Sequence, residues 1–185
     1  PNCRMLAVGN HDGFLDIYSF ASEGGGKTVP TVELVPLKRM RGHNSYLTHL
    51  DWSADNALLQ STCGAYEILY WSATSGTQLL SSTDNIEADS EWATSTCPLG
   101  FNVMGIWPAY SDGTDVNAVD VAGSLVATAD DFGMLKVFNY PCVAKDAPCI
   151  EGPGHSSHVM NVRFVKGAGK IATVGGCDRS VMLWN

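Results

Sequence analysis

The apolar positions of this chain fall in short runs, each broken by a small-residue or acidic turn. Leu15-Asp16-Ile17-Tyr18, Ile68-Leu69-Tyr70-Trp71, Leu135-Lys136-Val137-Phe138 and Met182-Leu183-Trp184 all close on an aromatic residue. Ahead of them stand the turns Gly9-Asn10-His11-Asp12-Gly13, Thr62-Cys63-Gly64-Ala65, Ala129-Asp130-Asp131-Phe132-Gly133 and Gly175-Gly176-Cys177-Asp178. Ahead of the turns come further short apolar runs, at 5–8, 57–59, 125–127 and 171–174. Such turns supply the positive φ that tight hairpins require, and short runs bounded by them predict strands. Sustained helical periodicity is missing from the sequence, so the pattern predicts an all-β fold.

The runs also repeat. Gly42-His43-Asn44-Ser45-Tyr46-Leu47-Thr48-His49-Leu50-Asp51-Trp52 resembles Gly154-His155-Ser156-Ser157-His158-Val159-Met160-Asn161-Val162-Arg163-Phe164, and the two Gly-His pairs lie 112 residues apart. His43 precedes Trp71 by 28 residues and His155 precedes Trp184 by 29. The closing aromatics Tyr18, Trp71, Phe138 and Trp184 are spaced by 53, 67 and 46 residues, against about 40–45 for one four-stranded propeller blade. The excess in the third unit predicts an insertion over 83–115. That insertion carries Trp92, Phe101, Ile106 and Trp107 and should be packed, with a strand near 103–107 between Gly100 and Pro108.

Gly-His, an apolar strand, a turn Asp and a strand ending in Trp resembles the WD repeat. The resemblance implies a hydrogen-bonded chain of loop His, strand hydroxyl, turn Asp and strand Trp in each blade. His155, Asp178 and Trp184 fit, with Val174 at the position expected to carry the hydroxyl. His43, Ser61 and Trp71 fit in the other unit, with Ala65 where the turn Asp is expected. A more specific likeness covers nearly the whole chain. The stretches 43–72, Glu91-Trp92-Ala93-Thr94-Ser95-Thr96-Cys97, Gly105-Ile106-Trp107-Pro108, Ser111-Asp112-Gly113-Thr114-Asp115-Val116-Asn117-Ala118 and His155-Ser156-Ser157-His158-Val159 resemble the echinoderm microtubule-associated protein-like (EMAP-like) family. This likeness implies a tandem of atypical propellers, the chain matching the C-terminal part of the second. It places the family's coiled coil, basic segment and first propeller outside these residues. The expected architecture is an incomplete β-propeller over 1–185. Its blades are expected at 1–37 (partial), 38–82, 83–152 with the insertion 83–115, and 153–185 lacking its last strand. Such an open arc is expected to need the remaining blades of a longer chain, or a second copy, to fold stably, and a start at Pro1 fits a piece of a longer protein.

Charge narrows the partners. The chain carries 11 Lys+Arg against 19 Asp+Glu, a net −8, which argues against a nucleic-acid groove or an anionic membrane surface. No apolar run is long enough to span a bilayer, and the N-terminus lacks signal-peptide character. The six cysteines form no Cys-x-x-Cys pair, so the expectation is reduced, buried thiols in the cytoplasm.

Candidate chemistry is sparse. Ala21-Ser22-Glu23-Gly24-Gly25-Gly26-Lys27-Thr28 resembles a phosphate-binding loop, but Val29-Pro30-Thr31-Val32 follows it. A β-branched run with Pro cannot supply the helix N-terminus that such a loop needs. Asp112, Asp115, Asp130 and Asp131 lack the alternating acidic spacing of a calcium loop and read as turn caps. His43 and His155 are too isolated in the sequence to argue for zinc. No nucleophile with a paired base stands out, and no cofactor is expected. Lys38, Arg39 and Arg41 form a small basic cluster, expected on exposed loops as partner contacts or as a solvated patch. The reading is a non-catalytic scaffold. The EMAP-like resemblance implies microtubule association, tubulin or other protein partners, and a cytoplasmic, cytoskeletal place that extends to the cilium or flagellum. The alternatives are a generic WD-repeat adaptor in a ciliary or signalling complex without tubulin contact and, remotely, a nucleotide-binding protein through 21–28.

Overall fold

A computed structural model describes residues 4–22, 32–80, 86 and 90–185. Its strands form four antiparallel sheets, and the architecture is an incomplete, all-β propeller. The chain divides into two compact units, Pro1–Ala93 and Thr94–Asn185, each holding two sheets.

In the first unit β1 (Met5–Gly9), β2 (Phe14–Ser22) and β3 (Val32–Arg41) make one sheet. The strands β4 (Leu47–Trp52), β5 (Leu58–Cys63), β6 (Ile68–Ser72) and β7 (Gln78–Leu79) make the other. Burial joins them: Leu15, Ile17 and Met40 from one sheet and Leu59, Trp71 and Ala73 from the other form a single cluster. The blade boundary expected after residue 37 falls inside β3. That strand pairs with β2 as far as Phe14↔Arg41, across a register shift at Ile17/Tyr18, so 38–41 belong to the first sheet. The phosphate-loop-like stretch lies outside the described residues from Glu23 onward.

In the second unit β8 (Val116–Ala122), β9 (Leu125–Asp130), β10 (Met134–Asn139) and β11 (Cys149–Pro153) form a four-stranded sheet. The strands β12 (Val159–Val165), β13 (Lys170–Gly175) and β14 (Val181–Trp184) form a three-stranded one. Small residues on the former, Ala118, Ala127 and Ala129, leave room for Val159 and Val162 of the latter. Close interdigitation of this kind is what sheet-on-sheet burial needs.

The strand expected near 103–107 is instead a 3-10 helix, η1 (Phe101–Ile106). Gly100 precedes it at φ 126°, a region open only to glycine. Gly105 N–H donates to the Cys142 carbonyl and Cys142 N–H to the Asn102 carbonyl, each at 2.8 Å. Val103 and Ile106 thereby seat against Val116, Val119, Val126, Phe138 and Cys142. The inserted apolar residues serve a helical plug rather than a strand because their hydrogen bonds go to the segment after β10. No disulfide occurs among the described residues: Cys63, Cys97 and Cys142 are buried thiols as expected, whereas Cys149 is half-buried and Cys177, in the turn before β14, is exposed.

Leu15 is wholly buried in the first unit's shared cluster, so Leu15→Ala should cost about 2–5 kcal/mol. Ile150→Ala, at a side chain that is 76% exposed, should stay within about 0.5 kcal/mol. Urea unfolding monitored by tryptophan fluorescence compares the two.

Candidate functional site

Two sheets carry a buried histidine that ties a loop to a strand hydroxyl and a closing indole. In the last sheet His155 Nε2 lies 2.7 Å from Thr173 Oγ1, and Trp184 Nε1–H donates to the same oxygen at 2.9 Å. On its other side His155 Nδ1 meets Asp178 Oδ2 at 2.8 Å and Ser180 Oγ at 3.0 Å. Asp178 also accepts from the backbone N–H groups of Ser156 and Ser180. Burial pushes the Asp178 carboxyl up. The hydrogen bonds from His155 and from Ser180 outweigh that, and the carboxyl is held below the usual carboxylate range.

Thr173, not Val174, carries the hydroxyl. Strand alternation decides this: Val174 pairs with Val181 and both point outward, while Thr173 is fully buried on the face of β13 that also carries Ile171 opposite Trp184. The spacing that finds it runs forward from the histidine. His155 to Thr173 and His43 to Ser61 are both 18 residues. Counting back from the turn Asp fails because this turn is one residue longer.

The sheet β4–β7 holds the shorter version. His43 Nε2 lies 2.7 Å from Ser61 Oγ, which accepts from Trp71 Nε1–H at 2.8 Å. With Ala65 in the turn, no Asp reaches His43 Nδ1; the nearest carboxylate oxygen, Glu67 Oε2, stands 3.9 Å away. Glu67 is engaged by Asn44 Nδ2 at 2.6 Å and by the Cys63 thiol at 3.5 Å. Those bonds place its carboxyl below the usual range, the Asn44 amide contributing most. Burial depresses the His43 imidazole against a smaller opposing pull from Glu67.

The sheet β8–β11 replaces the network with hydrocarbon. Thr128 is buried, and the residue ten positions on is Phe138, which has no N–H to offer. Eighteen positions before Thr128 is Tyr110, whose side chain is fully exposed. The η1 plug packs on Phe138 instead. The acidic turn residues act as caps: Asp130 Oδ1 accepts from Phe132 and Met134 N–H, and Asp112 Oδ1 from Thr114 N–H.

The basic cluster sits on strand β3 rather than on loops, and it stays largely exposed, with the Arg39 side chain 63% accessible. Asp16 and Arg39 are cross-strand partners, and the guanidinium donates to both carboxylate oxygens at 2.7 and 2.9 Å. Lys38 Nζ donates to the Ser75 carbonyl. Arg39 and Arg41 both lie over the Phe14 ring, 5.2 and 5.5 Å from its centroid.

The model of the family described as the echinoderm microtubule-associated protein second beta-propeller matches residues 1–185. The chain belongs to that family. Among its relatives, the echinoderm microtubule-associated protein-like 4 of Xenopus laevis is 44% identical over 97% of this chain and 19% of its own length. The 77 kDa echinoderm microtubule-associated protein of Lytechinus variegatus is 43% identical over 100% of this chain and 27% of its own. This second-propeller segment thus spans about a fifth to a quarter of the length of the curated relatives it matches. A likeness in fold reaches the crystal structure of the computationally designed Ika8 protein, with a TM-score of 0.55 at 15% identity over 98% of this chain and 68% of that one.

Thr173→Val keeps the shape of the side chain but leaves a buried imidazole nitrogen and an indole N–H without their shared partner. It should cost about 1–3 kcal/mol in urea unfolding. Asp178 has a carboxyl depressed in the folded state, so its contribution is full above the unfolded carboxylate value and fades as pH falls through the folded one. Asp178→Asn should flatten the acid limb of a stability-against-pH curve relative to the parent while lowering stability at neutral pH.

Proposed function

We propose that this segment is part of a non-catalytic, microtubule-associated WD-repeat scaffold that docks tubulin in the cytoplasmic cytoskeleton. Membership of the EMAP second-propeller family over the full 185 residues carries this reading. The side chains support it. The buried histidines, hydroxyls and indoles are engaged in holding strands together, and the acidic turn residues cap backbone N–H groups. No helix among the described residues is long and apolar enough to cross a membrane.

Exposed aromatics provide the docking groups. Phe132, in the turn between β9 and β10, is 68% exposed, and Tyr110 stands wholly in solvent. Asp131 N–H donates to the Asp115 carbonyl at 3.0 Å, so the turn and the loop leading into β8 share one end of that sheet. Aromatic anchors of this kind dominate protein interfaces when a partner buries them. The outward face of β13 and β14, with Val174, Val181 and Leu183 exposed, is proposed to receive a further blade of a longer chain. Net charge of −8 repels an acidic lattice. Contact of this segment with tubulin therefore rests on loop shape and aromatic burial, with lattice attraction supplied by parts of the protein beyond it.

A pulldown of soluble tubulin beside microtubule co-sedimentation tests this. The protein carrying this segment should retain tubulin, and a Tyr110→Ala, Phe132→Ala double variant should weaken retention about tenfold or more. Equal retention by parent and double variant would remove these loops from the interface, and no retention by either would point to an adaptor without tubulin contact.

A further inference from the structure

The incomplete network around His43 leaves a set of donors that its counterpart around His155 does not have. His43 has a fully buried side chain, and its Nδ1 has no hydrogen-bond partner. An orphan ring nitrogen on a buried side chain is costly unless something occupies it. Cys63 Sγ and Glu67 Oε2 face the same spot: one ligand atom each from His43, Cys63 and Glu67 all lie within 4.8 Å of one another. We propose that His43 Nδ1, the Cys63 thiolate and the Glu67 carboxylate bind a zinc-class divalent cation, with water in the fourth position.

Strand register shows how the site arises. Cys63 is paired with Leu47 as Gly175 is paired with Val159, so the two residues hold equivalent places, each two beyond the network hydroxyl. At Gly175 a Cβ would collide with the Asp178 carboxylate and with His155 Nδ1; glycine is what lets Asp178 reach the ring. At the equivalent place in β5 a cysteine fills that space, and the turn Asp is gone. Glu67, next to β6, stands where Ser180 stands next to β14, and Ser180 also reaches its histidine's Nδ1. An Asp acceptor has thus been exchanged for a sulfur and a longer carboxylate around the same ring nitrogen.

Two of the three ligand–ligand edges lie near those of a tetrahedral ion, and the third, from His43 Nδ1 to Cys63 Sγ, lies within 4.8 Å. Zinc bonds of about 2.0–2.3 Å to nitrogen, oxygen and sulfur imply ligand–ligand edges of about 3.4–3.6 Å. The sulfur–oxygen separation is 3.5 Å and the nitrogen–oxygen separation 3.9 Å. The Glu67 side chain is 34% exposed, which gives it freedom to close the remaining gap and leaves a path to solvent. With Nδ1 on the metal, Nε2 carries the proton and donates to Ser61 Oγ at 2.7 Å. That bond fixes the tautomer and aims the ring, as supporting hydrogen bonds do for ligating histidines. Asn44 holds the Glu67 carboxylate from the other side. Binding deprotonates Cys63, whose proton passes to solvent.

Cobalt(II) and zinc(II) titrations of the full-length protein decide the matter. Cobalt should give tetrahedral d–d bands with a thiolate charge-transfer band, and zinc should displace it. Cys63→Ser should abolish the charge-transfer band and lower the bound metal by one equivalent per chain. Glu67→Gln, at a partly exposed side chain, should leave circular dichroism unchanged and weaken zinc binding at least tenfold. Absence of the charge-transfer band in the parent, or metal binding unchanged in Glu67→Gln, overturns the proposal.

Discussion

A shared oxygen atom organises the two histidine-bearing sheets. Ser61 Oγ and Thr173 Oγ1 each meet a histidine ring and a tryptophan N–H within 2.9 Å. The histidine arrives from the loop before the first strand of its sheet, the hydroxyl sits on the second strand, and the indole closes the third. One small group therefore fixes three chain segments separated by up to about thirty residues. Polar atoms in such a place are stabilising only when every one is satisfied, so the remaining valence of the imidazole governs what each turn must contain.

That valence is met differently in the two sheets. Around His155 a glycine clears space, and Asp178 and Ser180 approach Nδ1. Around His43 the space holds Cys63, and the nearest carboxylate stops at 3.9 Å. In the sheet β8–β11 the problem is avoided altogether: Phe138 and the η1 plug substitute apolar contacts for the network. Hydrocarbon of matching shape can replace a polar cluster without leaving an unpaired group behind, which is why the insertion ahead of β8 and the loss of the network go together.

Much of this was legible in the sequence. Alternating short strands and turns pointed to antiparallel sheets, and the paired Gly-His segments pointed to the units that contain them. The likeness carried by residues such as those at 43–72 pointed to the family. What escaped depended on counts and contacts that a linear reading does not weigh. Thr173 escapes a count back from the turn Asp because that turn is one residue longer. The helix at Phe101–Ile106 looked like a strand because short apolar runs have no decisive period; its partners, the Cys142 and Ala147 region, lie some forty residues away. Nothing in the local sequence shows that Asp16 stands directly across from Arg39.

The balance of charge bears on recognition. A chain with 11 basic and 19 acidic residues, one of whose arginines, Arg39, is paired with Asp16, presents a net negative charge to an acidic partner. Long-range attraction then works against association, and affinity must come from groups that act at contact distance. Loop aromatics such as Phe132 and Tyr110 meet that requirement, since burying a ring is favourable whatever the sign of the surrounding field. The scaffold supports them by rigidity. Asp130 caps the turn that carries Phe132 and lies 3.1 Å from the Lys136 ammonium, so part of the ordering entropy of that loop is already met before any partner arrives.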